Sequence, residues 1–249
     1  MRILLSNDDG VTAPGLHAMA AALRKLGSVF ICAPDRVRSG ASSSLTLHEP
    51  LVAEEVARDC WGVNGTPADT VKLALRELMD RPPDIVVSGI NNGLNTGSNV
   101  LYSGTVAAAL EAAQFGITAF AVSRRVAADG DYRAEARIAA RIIARLAPRH
   151  RRSKTVFNIN IPPLARPKGV IATTTELTPY NDGFERRRDP RGRTYFWLRG
   201  TPPRDLPRNG RPSDDWGIAH GYVTVTPLRR NLTDEGLLED LSRLYPDKR

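Results

Sequence analysis

Five short, largely β-branched apolar runs punctuate the first two-thirds of the chain: Ile3–Ser6, Val29–Ala33, Ile85–Ser88, Ala119–Ser123 and Val156–Ile161. Each is apolar nearly throughout, which is the pattern of strands covered on both faces of a parallel sheet. Helical spacing fills the intervals between them. Leu16, Met19, Ala20, Leu23 and Leu26 fall on one stripe that Gly27 closes, and Ile138, Ile142 and Leu146 form another within Tyr132–Leu146. Thr66, Pro67 and Asp69 read as an N-cap, a first-turn proline and a first-turn acid, opening a helix that runs to about Met79. Val106–Phe115 is the remaining helix of this part. Strand–helix alternation of this kind predicts an α/β fold with a doubly wound, mostly parallel sheet.

The pattern changes after Pro162-Pro163. The stretch 164–220 is rich in Pro, Gly and Arg, with strand-like pieces at Val170–Thr174 and Thr194–Leu198. A clean strand, Tyr222–Thr226, follows, and then a helix from near Thr233 carrying Leu237, Leu238, Leu241 and Leu244. The organisation expected is a core over 1–163 and a β-rich C-terminal extension with a C-terminal helix over 164–249, with no linker that would make the extension an independent domain. Residues 40–65 form a second insertion, with Leu45, Leu47 and Leu51 alternating.

Composition narrows the class. With 41% apolar and 25% charged residues, a chain of 249 residues can support a real core, which excludes general disorder. No run approaches the ~18 apolar residues of a membrane span. The apolar start Ile3–Ser6 is cut off by Asn7-Asp8-Asp9-Gly10, too soon for a signal peptide. Cys32 and Cys60 are too few for a disulfide framework and lack metal-ligand spacing, so a reducing, cytoplasmic setting is expected. The net charge of +8 is spread along the chain, with local runs only at Arg149–Lys154 and Arg186–Arg193. That distribution suits a solvated basic surface, or attraction of small anionic substrates, better than specific nucleic-acid binding.

In an open α/β sheet, ligands bind at the carboxyl ends of the strands. Three polar, glycine-bearing loops leave those ends here: Asn7-Asp8-Asp9-Gly10, Pro34–Gly40, and Gly89–Gly97 continuing to Ser103-Gly104-Thr105. Asp8 and Asp9 can act as a helix cap and a solvated turn residue. Taken with Ser39 and Asn91 on the neighbouring loops, they make a set of oxygen donors suited to Mg²⁺ or Mn²⁺ and unsuited to structural zinc. Ser103-Gly104-Thr105 can cradle an anion at a helix N-terminus or serve as an ordinary Ser/Thr cap. Asn92 and Asn95 are polar loop residues that also suit turns. Competing motifs fail on spacing. Gly89, Gly93 and Gly97 are not a dinucleotide fingerprint, no Walker sequence or Gly-x-Ser-x-Gly elbow occurs, and His48-Glu49 is followed by Pro50.

MRILLSNDDGVTAP (Met1–Pro14), APDRVRSGASSS (Ala33–Ser44), VNGTPAD (Val63–Asp69) and DIVVSGINNGLNTGSNVLYSGT (Asp84–Thr105) closely resemble the SurE family, the survival-protein-E nucleotidases, as does GYVTVTPL (Gly221–Leu228). The resemblance runs in the same order over nearly the whole chain. It implies a Rossmann-like α/β domain and a metal-dependent phosphatase for nucleoside 5′-monophosphates, with 3′-monophosphates and short polyphosphate as further substrates. It also implies one divalent ion per subunit on Asp8, Asp9, Ser39 and Asn91, with Asp8 and Asp9 catalytic. The phosphate side then falls on Asn95, Ser103, Gly104 and Thr105. Homodimers or homotetramers that exchange C-terminal elements are implied as well, with no membrane and no specific nucleic-acid partner. The less typical stretches are Asn92, Ser42–Ser44 and Arg186–Arg193, which bear on substrate preference and oligomer contacts. Two rivals from other classes are a metal-independent binder of RNA or polyphosphate and a metal-dependent transferase using a nucleotide-sugar donor.

Overall fold

In chain order the elements are β1 (Arg2–Ser6), α1 (Pro14–Leu23), β2 (Ser28–Pro34), β3 (Ala53–Ala57), β4 (Cys60–Val63), α2 (Pro67–Leu73), β5 (Ile85–Asn92), α3 (Gly104–Gln114), β6 (Thr118–Arg124) and α4 (Arg133–Leu146). They continue with β7 (Val156–Ile161), β8 (Val170–Ala172), β9 (Asn181–Arg188), β10 (Thr194–Thr201), α5 (Asp214–Ala219), β11 (Val223–Leu228) and α6 (Glu235–Leu244). The computed structural model describes residues 1–128, 130–151, 153–163, 166–176, 181–201 and 210–245. Arg152 of the basic run, and 177–180 and 202–209 of the Pro- and Arg-rich stretch, lie outside the described residues.

A nine-stranded sheet in the order β3-β4-β2-β1-β5-β6-β7-β11-β8 is the centre of the molecule. From β4 to β7 every neighbour is parallel, with Leu4 opposite Phe30 on one side and Val86 on the other. The apolar runs are continuous because both faces are covered. Ile3, Leu5, Val87 and Phe120 pack on Leu16 and Met19 of α1 and Ile143 of α4. Leu4, Val86, Ala119 and Ala121 face Val71 of α2 and Val106 and Ala109 of α3. The chain leaves β1 for β2 on one side and enters β5 on the other, so the strand order reverses beside β1. That reversal opens a crevice at the carboxyl edge, the usual ligand position in this architecture.

Several elements depart from the expectations. The helix opened by the Thr66–Asp69 capping box is α-helical only to Leu73 and continues as a π-helical turn over Ala74–Leu78. Within the 40–65 insertion, β3 and β4 form an antiparallel hairpin that extends the sheet edge. The strand expected at Tyr222–Thr226 runs Val223–Leu228, antiparallel to β7, and β8 pairs parallel to it, so parts of the C-terminal stretch belong to the main sheet. β9 and the short α5 had no counterpart in the pattern, and β9 pairs with β10 as a separate two-stranded ribbon.

Cys32 and Cys60 are free and buried, and they pack into the clusters on opposite faces of the sheet, which leaves no route to a disulfide. Burial, with a smaller contribution from Cys60, pushes the Cys32 thiol up to about 12. Among the described residues, no helix is long and apolar enough to cross a membrane.

The register of β5 against β6 shifts between Ser88 and Asn91. A bulge of this kind re-aims the strand end, and Gly89 makes it possible. Its φ is +134°, and a Cβ there would lie 2.3 Å from the Val122 carbonyl oxygen. Gly89→Ala is expected to destabilise the protein by about 3 kcal/mol or more, read as a lower midpoint in urea unfolding. A midpoint equal to that of the wild type would refute this account of the bulge.

Candidate active site

Asp8 follows β1 at the crevice and is 4% exposed. The start of α3 closes over it. The Thr105 hydroxyl donates to Asp8 Oδ1 at 2.5 Å, and the Thr105 backbone also hydrogen-bonds to the carboxylate. Gly104 permits this approach, because a Cβ at that position would stand 2.9 Å from the Asp8 Cβ and 3.1 Å from Oδ2. Ser103 caps the helix, its Oγ accepting the Val106 N–H at 3.1 Å. Of the two roles the sequence left open for this step, Ser103 therefore fills the cap, and Thr105 serves Asp8 directly.

The other loops are tied to the same edge through the backbone. Arg38 N–H donates to the Asp8 carbonyl at 2.8 Å, which ties the loop carrying the exposed Ser39 to the segment that carries the aspartates. Asp9 is partly buried and receives a hydrogen bond from the Asn92 backbone, so the end of β5 and Asn91 come to the same place. Asn91 Nδ2 donates to the Gly93 carbonyl at 2.7 Å, which commits its donor end to the loop. Asn92 is held in turn by Arg124, whose Nε donates to Asn92 Oδ1 at 3.2 Å and whose guanidinium lies 3.6 Å from the Tyr132 ring centre.

Asn95 is buried, and its Nδ2 donates to Ser123 Oγ at 2.8 Å. Its backbone is held by Asn158 and Asn160 of β7. Two residues further on, Gly97 N–H points at both carboxylate oxygens of the fully buried Asp214, at 3.3 and 3.2 Å. A groove of about 490 Å³ opens beside Ser103, bordered by Ser42, Leu101 and Arg229, within the usual size range of small-molecule sites.

The electrostatics are those of carboxylates short of positive charge. Burial raises Asp8 to about 6, with the neighbouring Asp9 adding to the shift and the Thr105 hydrogen bonds opposing it. Burial raises Asp9 too. Neither forms an ion pair with a described lysine or arginine. Among the described residues, no group of three or more His, Cys, Asp or Glu side chains could hold a metal, here or elsewhere, so donors beyond Asp8 and Asp9 would have to be neutral oxygens. Hard oxygen donors, two of them carboxylates without a cationic partner, fit a hard divalent cation.

Comparison with known proteins places this chain in a family. The model of "Survival protein SurE" matches residues 3–182. The chain belongs to the SurE family. The "5'-nucleotidase SurE" of Rhodopirellula baltica is 47% identical, covering 97% of each chain. Its namesake in Pelotomaculum thermopropionicum is 42% identical over 98% of this chain and 95% of that protein. The crystal structure of the SurE protein from Aquifex aeolicus superposes with a TM-score of 0.86 at 35% identity, covering 98% of this chain and 99% of that one. In this SurE-family chain, sequence reasoning missed Arg124, Asn158, Asn160 and Asp214 as residues that hold the site. The visible signal was a pair of asparagines interrupting an otherwise apolar strand, Val156–Ile161.

Burial, reinforced by Asp215, raises Asp214 to about 7 from 3.8, while the Gly97 N–H opposes the shift. A carboxyl raised in the folded state contributes stability that is complete below its unfolded value and is lost as pH rises through the folded one. Asp214→Asn stays neutral and still offers Gly97 an acceptor. It is expected to flatten the fall in Tm between pH 3.8 and about 7 by several degrees, measured by thermal melts across that range. An unchanged slope would rule Asp214 out as its source.

Proposed function

We propose that this protein hydrolyses nucleoside 5′-monophosphates to nucleoside and inorganic phosphate, using one divalent cation, Mg²⁺ or Mn²⁺, held by Asp8, Asp9, Ser39 and Asn91. The observation that carries the reading is the Asp8–Asp9 pair. Both carboxylates are raised by burial, both lie at the sheet's switch point, and Thr105 fixes the orientation of one of them. Family membership supports the same reaction class. The donor set extends the reading to 3′-monophosphates and short polyphosphate, since nothing in it depends on the base or sugar.

Asp8 orients the attacking water and takes its proton. Thr105 prevents that carboxylate from rotating away. When bound, the cation supplies the positive charge that offsets the phosphoryl oxygens and acidifies the water. Asn95 and the Ser103–Thr105 helix start stabilise the charge that collects on the phosphoryl oxygens in the transition state. The acceleration required for a phosphate monoester reaches ~10²¹, so no one of these effects is sufficient alone. The two buried free thiols suit a reducing cytoplasm.

Inorganic phosphate release from 5′- and 3′-nucleoside monophosphates, with Mn²⁺, Mg²⁺ or a chelator, tests the assignment. Release is expected only with a divalent ion, and Asp8→Asn is expected to reduce it at least ~10³-fold with the fold intact. Chelator-resistant turnover, or a fully active variant, would overturn it.

The same reading extends to assembly. The β9–β10 ribbon exposes Phe184, Phe196, Trp197 and Leu198, and α6 exposes Leu237, Leu238, Leu241 and Leu244. Exposed apolar surface of this extent calls for a partner. A second copy exchanging these C-terminal elements, as a dimer or tetramer, supplies one. Light scattering is expected to give at least twice the monomer mass, and a chain ending at residue 230 is expected to shift towards monomer. A monomeric full-length chain would refute it.

A further inference from the structure

Asn95 sits in a loop without regular structure between β5 and the 3₁₀ turn Gly97–Leu101. A loop residue that must meet a phosphoryl oxygen needs its backbone fixed from outside the loop. Two side chains from the adjacent strand β7 do this, and a third, from β6, holds the side chain of the same residue. Asn160 accepts the Asn95 N–H on Oδ1 at 2.8 Å and returns its own Nδ2 to the Asn95 carbonyl at 3.1 Å. One side-chain amide thereby holds both backbone groups of one residue, as a neighbouring strand would. Asn158 Nδ2 donates to the same carbonyl at 2.7 Å, and Ser123 Oγ meets the Asn95 side chain at 2.8 Å.

The placement follows from the sheet. Ser123 of β6 and Asn160 of β7 are register partners, and Asn158 lies two residues from Asn160 on the same face. Phe157, Ile159 and Ile161 point to the opposite face, into the cluster under α1 and α4. All three polar side chains are fully buried. A sheet selected only for packing would carry apolar residues there, because a buried amide is unfavourable unless it is fully paired. Asn158 is not fully paired, since its Oδ1 has no hydrogen-bond partner among the described residues. The polar trio is hard to explain as a stability device, and its bonds converge on Asn95.

We infer that Asn160, seconded by Asn158 and Ser123, is a positioning residue that acts through Asn95, holding that side chain where phosphoryl charge develops. This rests on the phosphate-side role given to Asn95 above. A misplacement of roughly 1 Å at such a position lowers turnover about a hundredfold.

The test is a double-mutant cycle on the metal-loaded enzyme with a nucleoside 5′-monophosphate. It compares wild type, Asn95→Ala, Asn160→Ala and the double variant, with Tm and calorimetric cation affinity measured alongside. Asn160→Ala is expected to lower kcat about a hundredfold, with KM and cation affinity changed less than about threefold. In the Asn95→Ala background the same change is expected to have little further effect on kcat, because no side chain remains to be aimed. Ser123→Ala removes a single oxygen and guards against loss of fold in Asn160→Ala. It is expected to lower kcat about tenfold with Tm nearly unchanged. A reduced Tm with wild-type kcat, in either variant, would make these residues structural only and overturn the inference. Losses that multiply in the double variant would also overturn it. Full activity in Asn95→Ala would remove the role of Asn95 itself, a failure visible before the cycle is complete.

Discussion

A carboxylate taken out of water at the edge of a sheet must be compensated, and the way Asp8 is compensated organises everything around it. Burial of an ion carries a penalty of several kcal/mol even after relaxation. The Thr105 hydroxyl and backbone, at the positive end of α3, return part of it. No described lysine or arginine returns the rest. The shortfall is the physical argument for a cation at this edge. It also explains why α3 must begin where it does, and why glycine stands at its first position, where a methyl group would press on the Asp8 side chain.

The sheet delivers Asp8 to that place by its strand order. With β2 on one side of β1 and β5 on the other, the loops after β1, β2 and β5 share one crevice. Each loop is then adjusted by a local device. Arg38 N–H hooks the β2 loop to the Asp8 carbonyl, and the bulge at Gly89 turns the end of β5 so that Asn92 meets Asp9. Arg124, stacked on Tyr132, keeps Asn92 in place from behind. The segments that meet here are far apart in sequence, and they are tied together by backbone contacts, the Thr105 hydroxyl and the buried Arg124 guanidinium.

This division decides what could be read from the chain beforehand. The parallel strands were legible because burial on both faces makes them continuously apolar, and the four long helices because their stripes or caps are explicit. Asp8, Asp9 and Ser39 were legible as polar residues on loops leaving strand ends, whereas Asn91, expected on the loop after Ser88, lies inside β5, which runs past the bulge to Asn92 and pairs Asn91 with Ser123. The β3–β4 hairpin was not, since an edge strand such as AEEVA exposes glutamates and lacks an apolar run. The six-residue α5 offers too few turns for a period to show. The residues that hold Asn95 were hidden for a different reason. Asn158 and Asn160 read as interruptions of a core strand, and only the register with β6 places them together with Ser123.

Asp214 shows how far that reach extends. It lies 117 positions from Gly97, yet its buried carboxylate takes the Gly97 N–H, while the Asp215 carboxylate lies 2.7 Å from where a Gly97 Cβ would be. Gly97 itself has φ +51°, so the loop turns there because no side chain has to be accommodated against Asp215 and the Glu176 carbonyl. The segment from Asn95 to Gly97 is therefore held at one end by core strands and at the other by a helix of the C-terminal stretch. A chain ending at Ile161 would keep Asp8, Asp9, Ser39 and Asn91 but lose the clamp on Gly97. The C-terminal stretch thus contributes to the geometry of the site within a single chain, before any second copy is considered.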